Sequence, residues 1–328
     1  LDLIRNLGFL HPPETTDPAP SKAVFARWHE LSLKDGRLLR FKMIGPDTGR
    51  PVLFLHGLID SLDMIPATEA ALLRHNIRLI APVRPHFGKA DPVPRRGDPL
   101  DVTITDCVAL LDHLGLETVP VLGHMAGTFY GFVLADRHPD RVSGLCSVAG
   151  AVPMVQSWQI SGMSRGHRIS ARAARHAPAL LPIMIMGGIQ RLRSQGEEAM
   201  FNLYHSDGGL DKEHSHAPDI LPLLLKRFEF ATMQGYRAFY NDILRVSSDW
   251  SALTARVRCP VLFCHGAQDN VVLIDGVRRF ASTLLQARLC ILDTAGQLIW
   301  TQEPDQVLTS VADFTDGLCD DLTSKRSS

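Results

Sequence analysis

Leu122-Gly123-His124-Met125-Ala126-Gly127-Thr128 is the stretch whose reading decides the fold of this chain. Upstream, the mostly apolar run Thr118 to Leu122 reads as a short buried strand; downstream, Gly127 to Ala135 continues as an apolar helix that opens on small residues. Strand, tight turn and helix, with a glycine two residues to either side of the centre, is the layout of the G-x-S-x-G nucleophile elbow. There a strained residue presents its side chain to a pocket, and the glycines let strand and helix pack closely around it. The central residue here is Met125. A thioether has no proton to lose, so the turn is kept and the attacking atom is gone.

Outward from the turn, strands and helices alternate. Trp28 to Leu33 and Leu38 to Ile44 flank Asp35-Gly36, a hairpin signal. Pro51 to Leu55 is an apolar strand ending at His56-Gly57, followed by a helical stretch to Arg74, a strand from Ile77 to Pro82 and the polar loop Arg84 to Asp91. Val102 to Leu114 has helical periodicity, and Val142 to Val148 is a further strand. From about Pro153 to Trp250 the alternation gives way to helices, at Arg165 to His176, Leu180 to Ser194, Glu197 to Leu203 and Leu221 to Phe239. The strands resume at Pro260 to Cys264 and Ala287 to Leu292, each followed by a helix. This order predicts an α/β fold, a mostly parallel central sheet flanked by helices, with a helical cap inserted. The expected units are an N-terminal segment or linker over 1–24, a core over 25–152 and 251–318, a cap over 153–250 and a tail over 319–328.

Composition narrows the function classes. With 45% hydrophobic and 21% charged residues over 328 positions, the chain is ordinary globular protein, long enough for a full core. A net charge of -1 carries no footprint for nucleic acid, so no nucleic-acid contact by this chain itself is expected. The longest apolar candidate, Ala177 to Ile189, is broken by Pro178, Pro182 and two glycines, so no membrane association is expected. Six scattered cysteines, several inside apolar runs, read as reduced thiols of a cytoplasmic protein. His214 and His216 alternate near His205 without a third ligand at fixed spacing, so neither a metal nor another cofactor is expected.

Further motifs in order carry a resemblance. His56-Gly57 after its strand, with Leu58 placed to donate a backbone N–H, resembles the oxyanion loop of the α/β-hydrolase superfamily with a helical cap; Arg84-Pro85-His86-Phe87-Gly88 resembles its R-P-G-F-G loop; and Gly266-Ala267-Gln268-Asp269 follows a buried strand as the family's acid does. Thr294-Ala295-Gly296-Gln297 stands where A-G-H carries the family's histidine. The resemblance implies that serine, acid and histidine map onto Met125, Asp269 and Gln297, a degenerate triad. Gln297 is neutral at all relevant pH and cannot act as a general base, so with Met125 it removes the hydrolytic mechanism, and no catalytic residue is expected. His124 adjoins the turn, but in this family the residue before the nucleophile is commonly a histidine that packs away from the pocket.

Loss of the reactive groups beside a retained turn and oxyanion loop is what a pocket kept for binding would look like. The expected ligand is a small, mostly apolar molecule with a carbonyl or hydroxyl, held by His56, Gly57, Leu58, Met125, Ala126, Asp269 and Gln297. Leu1-Asp2-Leu3-Ile4-Arg5 resembles the last turn of a LuxR-type helix-turn-helix domain. That implies the sensor domain of a bacterial transcriptional regulator, in which binding alters the dimerisation of a homodimer or the DNA affinity of an attached domain. Two other readings stand beside it. One is an enzyme of unconventional chemistry, lyase- or cyclase-like, with Asp269 or His124 transferring protons. The other is a protein-interaction module whose vestigial pocket is filled by Met125.

Overall fold

The computed structural model describes residues 26–60, 62–197 and 210–326, with side chains to 318. The N-terminal segment, its LuxR-like turn, Ser61 and the expected helix over Glu197 to Leu203 therefore lie outside the described residues, apart from Glu197 itself.

Eight strands form one sheet in the order β1-β2-β4-β3-β5-β6-β7-β8. They are β1 (Arg27–Ser32), β2 (Leu38–Ile44), β3 (Arg50–Leu55), β4 (Ile77–Pro82), β5 (Val119–His124), β6 (Val142–Val148), β7 (Val261–Gly266) and β8 (Ala287–Leu292). β1 and β2 pair antiparallel through the Asp35-Gly36 turn, where Gly36 takes a φ of 85°. β2 joins β4 antiparallel, and every pairing beyond is parallel. The interior strands are continuous apolar runs because both faces of the sheet are covered.

Strand alternation divides the core in two. Leu53 and Leu55 face a layer built from α2 (Pro99–His113), α3 (Gly127–Arg137) and the helix Ile274–Ala281. Val52 and Phe54 face α1 (Pro66–Arg74) and the C-terminal helix Pro304–Arg326. This last helix runs into the stretch expected to be a tail, since no proline interrupts it after Pro304.

A third apolar cluster belongs to the cap, whose described helices are α4 (Ser157–Ser161), α5 (Arg165–His176), α6 (Leu181–Gln195), α7 (Leu210–Ser215), α8 (Ile220–Thr232) and α9 (Arg237–Val246). The single helix expected over Leu221 to Phe239 is two, because the chain turns at Gly235, with a φ of 86°. Met125 packs against both the cap cluster and one core layer.

Candidate ligand-binding site

β5 delivers the chain into a turn in which Met125 has a φ of 49°, the left-handed region that side chains rarely adopt. Two close approaches hold it there. A Cβ on Gly127 would lie 1.8 Å from the Leu55 carbonyl oxygen, and one on Gly57 would lie 2.9 Å from Met125 Cβ. The Met125 N–H donates to the Val148 carbonyl at 3.0 Å, and its own carbonyl accepts from Ala151 at 3.0 Å. The strained elbow geometry thus survives with methionine at its apex. Among the described residues the N–H groups of Leu58 and Ala126 beside it have no acceptor.

Above the turn, core and cap enclose a cavity of about 310 Å³ with an almost wholly apolar wall. Leu58, Met125, Ala126 and Gln297 line it; of the other residues expected to touch ligand, His56, Gly57 and Asp269 do not. Each of the three is turned to internal work. The fully buried His56 holds the oxyanion loop to the loop after β4, with Nδ1 at 3.0 Å from the Gly57 carbonyl and Nε2 accepting from Arg84 N–H at 3.2 Å. Burial, reinforced by the Arg84 charge, pushes its pKa down to about 3. Gly57 N–H donates to Asp60.

Asp269 is caged. Its Oδ1 accepts from Val271 and Val272 N–H at 2.7 and 2.9 Å, and Oδ2 lies 3.1 Å from His265 Nε2. With its amide nitrogen facing this carboxylate, Gln297 donates to Oδ1 at 2.8 Å and also to Oδ2. Gln297 therefore reproduces the hydrogen bond that a histidine would make to the acid, without a nitrogen that accepts a proton.

His124 is fully buried, bonds Asp60 Oδ2 through Nδ1 at 2.7 Å, and packs with Phe54 and Trp300 in a cluster of three rings, outside the cavity lining. Burial works to raise the pKa of Asp60. The His124 ring, the Arg227 charge and the Gly57 N–H outweigh that and hold the carboxyl below the usual range. Neither Asp269 nor His124 is placed to transfer protons to a molecule in the cavity.

Sequence reasoning missed three groups. His167 of α5 lines the cavity and bonds Ser164 Oγ through Nδ1 at 2.7 Å, for which the signal was Ser164-x-x-His167 at a helix start. Asp211 of α7 reaches from the cap to the Gln297 loop, accepting from the N–H groups of Gln297 and Leu298 at 2.8 and 2.9 Å. Arg84 pairs bidentately with the buried Asp242 at 2.8 and 2.7 Å, joining the R-P-x-F-G loop to α9. No cluster of three His, Cys, Asp or Glu able to hold a metal occurs among the described residues, and their five cysteines are free thiols. None of the described helices is long and apolar enough to cross a membrane.

Comparison with known proteins bears on the whole arrangement. A family model described as alpha/beta hydrolase fold matches residues 50–304. The chain is 26% identical over 289 residues to a non-heme haloperoxidase of Rhodococcus erythropolis, covering 87% of this chain and 98% of that protein. It is 33% identical over 134 residues to the dihydrolipoyllysine-residue acetyltransferase component of an acetoin cleaving system of Pseudomonas putida; that match covers 41% of this chain and only 33% of the relative. Among solved structures, a hydrolase from Pseudomonas aeruginosa PA01 superposes with a TM-score of 0.65 at 20% identity, covering 88% of this chain and 98% of that one.

Proposed function

The chain belongs to the α/β-hydrolase fold family, and from that premise we propose that it uses the family's pocket to hold a small, largely apolar molecule bearing a carbonyl or hydroxyl, without hydrolysing it. One observation carries the reading. The elbow keeps its strained backbone at Met125 while Gln297 occupies both oxygens of Asp269, so nucleophile and base are absent from an otherwise intact frame. The apolar cavity directly above Met125 supports binding over a vestigial, filled pocket. The form of this proposal in which the chain is the cytoplasmic sensor of a transcriptional regulator, working as a homodimer, rests on Leu1 to Arg5 alone.

The relatives are named as enzymes, which favours a second reading in which this pocket also does chemistry, and without nucleophile and base that chemistry would be unconventional. A thermal-shift screen with small lactones, esters, terpenoids and aromatic acids, followed by mass analysis of the recovered hits, separates the two. A ligand at a hundred times its dissociation constant adds about 2.7 kcal/mol of stability. A stabilising compound returned intact after long incubation supports the binding reading. A compound returned converted overturns it in favour of the enzyme, and a screen with no stabilising compound counts against both.

A further inference from the structure

The cavity wall is apolar apart from a few groups, and those groups are not equivalent. Gln297 is tied to Asp269, its amide nitrogen donating to the carboxylate, so its side chain is held at the acid. Ser170 and Ser247 are hydroxyls on short side chains, with no side-chain partner among the described residues that fixes their direction. His167 differs because it is held. Ser164 occupies the N-cap position of α5, yet its hydroxyl makes no capping bond and instead meets His167 Nδ1 at 2.7 Å. Ser164 is itself buried, and its N–H donates to the Asn270 carbonyl at 2.9 Å, which ties the start of α5 to the loop that follows Asp269. With Nδ1 taken, Nε2 is the remaining ring nitrogen, and it has no partner among the described residues.

We propose that His167, oriented by Ser164, is the group that binds the polar atom of the ligand, and that the ligand is an uncharged ketone, ester or lactone whose carbonyl accepts from His167 Nε2–H. The inference rests on the binding reading above. In this assignment Ser164 Oγ–H is the donor to Nδ1, which puts the ring proton on Nε2 and makes the pair one neutral donor on the cavity wall. A donor in such a wall discriminates, because a ligand without an acceptor leaves it unpaired, and the Leu58 and Ala126 N–H groups at the elbow are the donors it competes with. The Asp269 carboxylate, close enough to act on His167 electrostatically, disfavours an anionic ligand. The polar side-chain contact would thus lie in the first turn of α5 rather than at the acid.

The test uses prodan, an uncharged naphthyl ketone whose emission responds to hydrogen bonding at its carbonyl, and the analogue with propyl in place of propionyl. Wild-type protein is expected to bind prodan about tenfold more tightly than the analogue. His167→Phe should abolish that preference while leaving analogue affinity unchanged. Ser164→Ala should reduce it, and serves if His167→Phe does not fold. A preference that persists in the His167 variant, or that disappears instead in Ser170→Ala or Ser247→Ala, overturns the assignment to His167 while the pocket reading stands. Failure of wild type to bind either probe counts against the pocket reading itself and takes this assignment with it.

Discussion

Met125 and Gln297 disable the frame in different ways, and the difference is measurable. Restoring the attacking group alone leaves a serine whose proton has no acceptor, since the Gln297 amide is not a base. Met125→Ser is therefore expected to hydrolyse p-nitrophenyl acetate at the background rate. Met125→Ser combined with Gln297→His should exceed the single variant by about 10²- to 10⁴-fold, the usual contribution of a positioned general base, because Asp269 is already placed to orient the new ring. Equal rates for the two variants would mean that the elbow no longer presents its side chain to substrate. These substitutions were legible in the sequence because the flanking glycines fix which residue stands at the apex. The confinement of Asp269 was not, since its cage is drawn from His265, two backbone N–H groups and a residue 28 positions away.

At the scale of elements, local pattern found the strands and most helices, because period-2 and helical runs are bounded by turns such as Asp35-Gly36. It did not find the ties between elements, which depend on polar side chains meeting across long sequence separations. His56 is one such tie. In the native loop its Nε2 must be unprotonated to accept from Arg84 N–H, and its pKa falls to about 3, against about 6.5 for an unperturbed histidine. Between these values the unfolded chain holds a proton that the native state lacks, so stability rises with pH across the window and is lost on acidification below about 6.5. Urea unfolding from pH 7.5 to 4 should show that loss, with a slope approaching 1.4 kcal/mol per pH unit from this group, and His56→Asn should flatten it. An unchanged slope in the variant would assign the effect to other buried histidines. Asp211 is a second tie, since it holds two backbone N–H groups and the Gln302 amide of the loop carrying Gln297. Asp211→Ala strands these donors in a buried place, and denaturant unfolding should report a cost of about 2–4 kcal/mol.

For the molecule as a whole, the cap and the core interlock: Ala231 and Ala238 of the cap are buried in one core cluster, Ile65 and Leu298 of the core in the cap cluster, and Met125 packs against both. The residue that replaced a nucleophile therefore also joins the two bodies. Truncating it removes packing from both, yet the parallel strands are held by their own ladders and two helical layers, whereas the cap rests on its cluster and on ties such as Asp211. Met125→Ala should thus act unevenly. Amide hydrogen exchange in α6 and α8 is expected to accelerate about tenfold, equivalent to about 1.4 kcal/mol of local stability, with β3, β5 and β6 nearly unchanged. Equal acceleration in cap and sheet would show instead that both open as one unit and that Met125 supports the whole fold. A ligand in the cavity touches both bodies, with Leu58 and Ala126 on the core side and Leu181 and Phe228 on the cap side. It should slow exchange in α6 and α8 of wild type more than in the sheet, because the regions that open most easily gain most from a molecule bound between them.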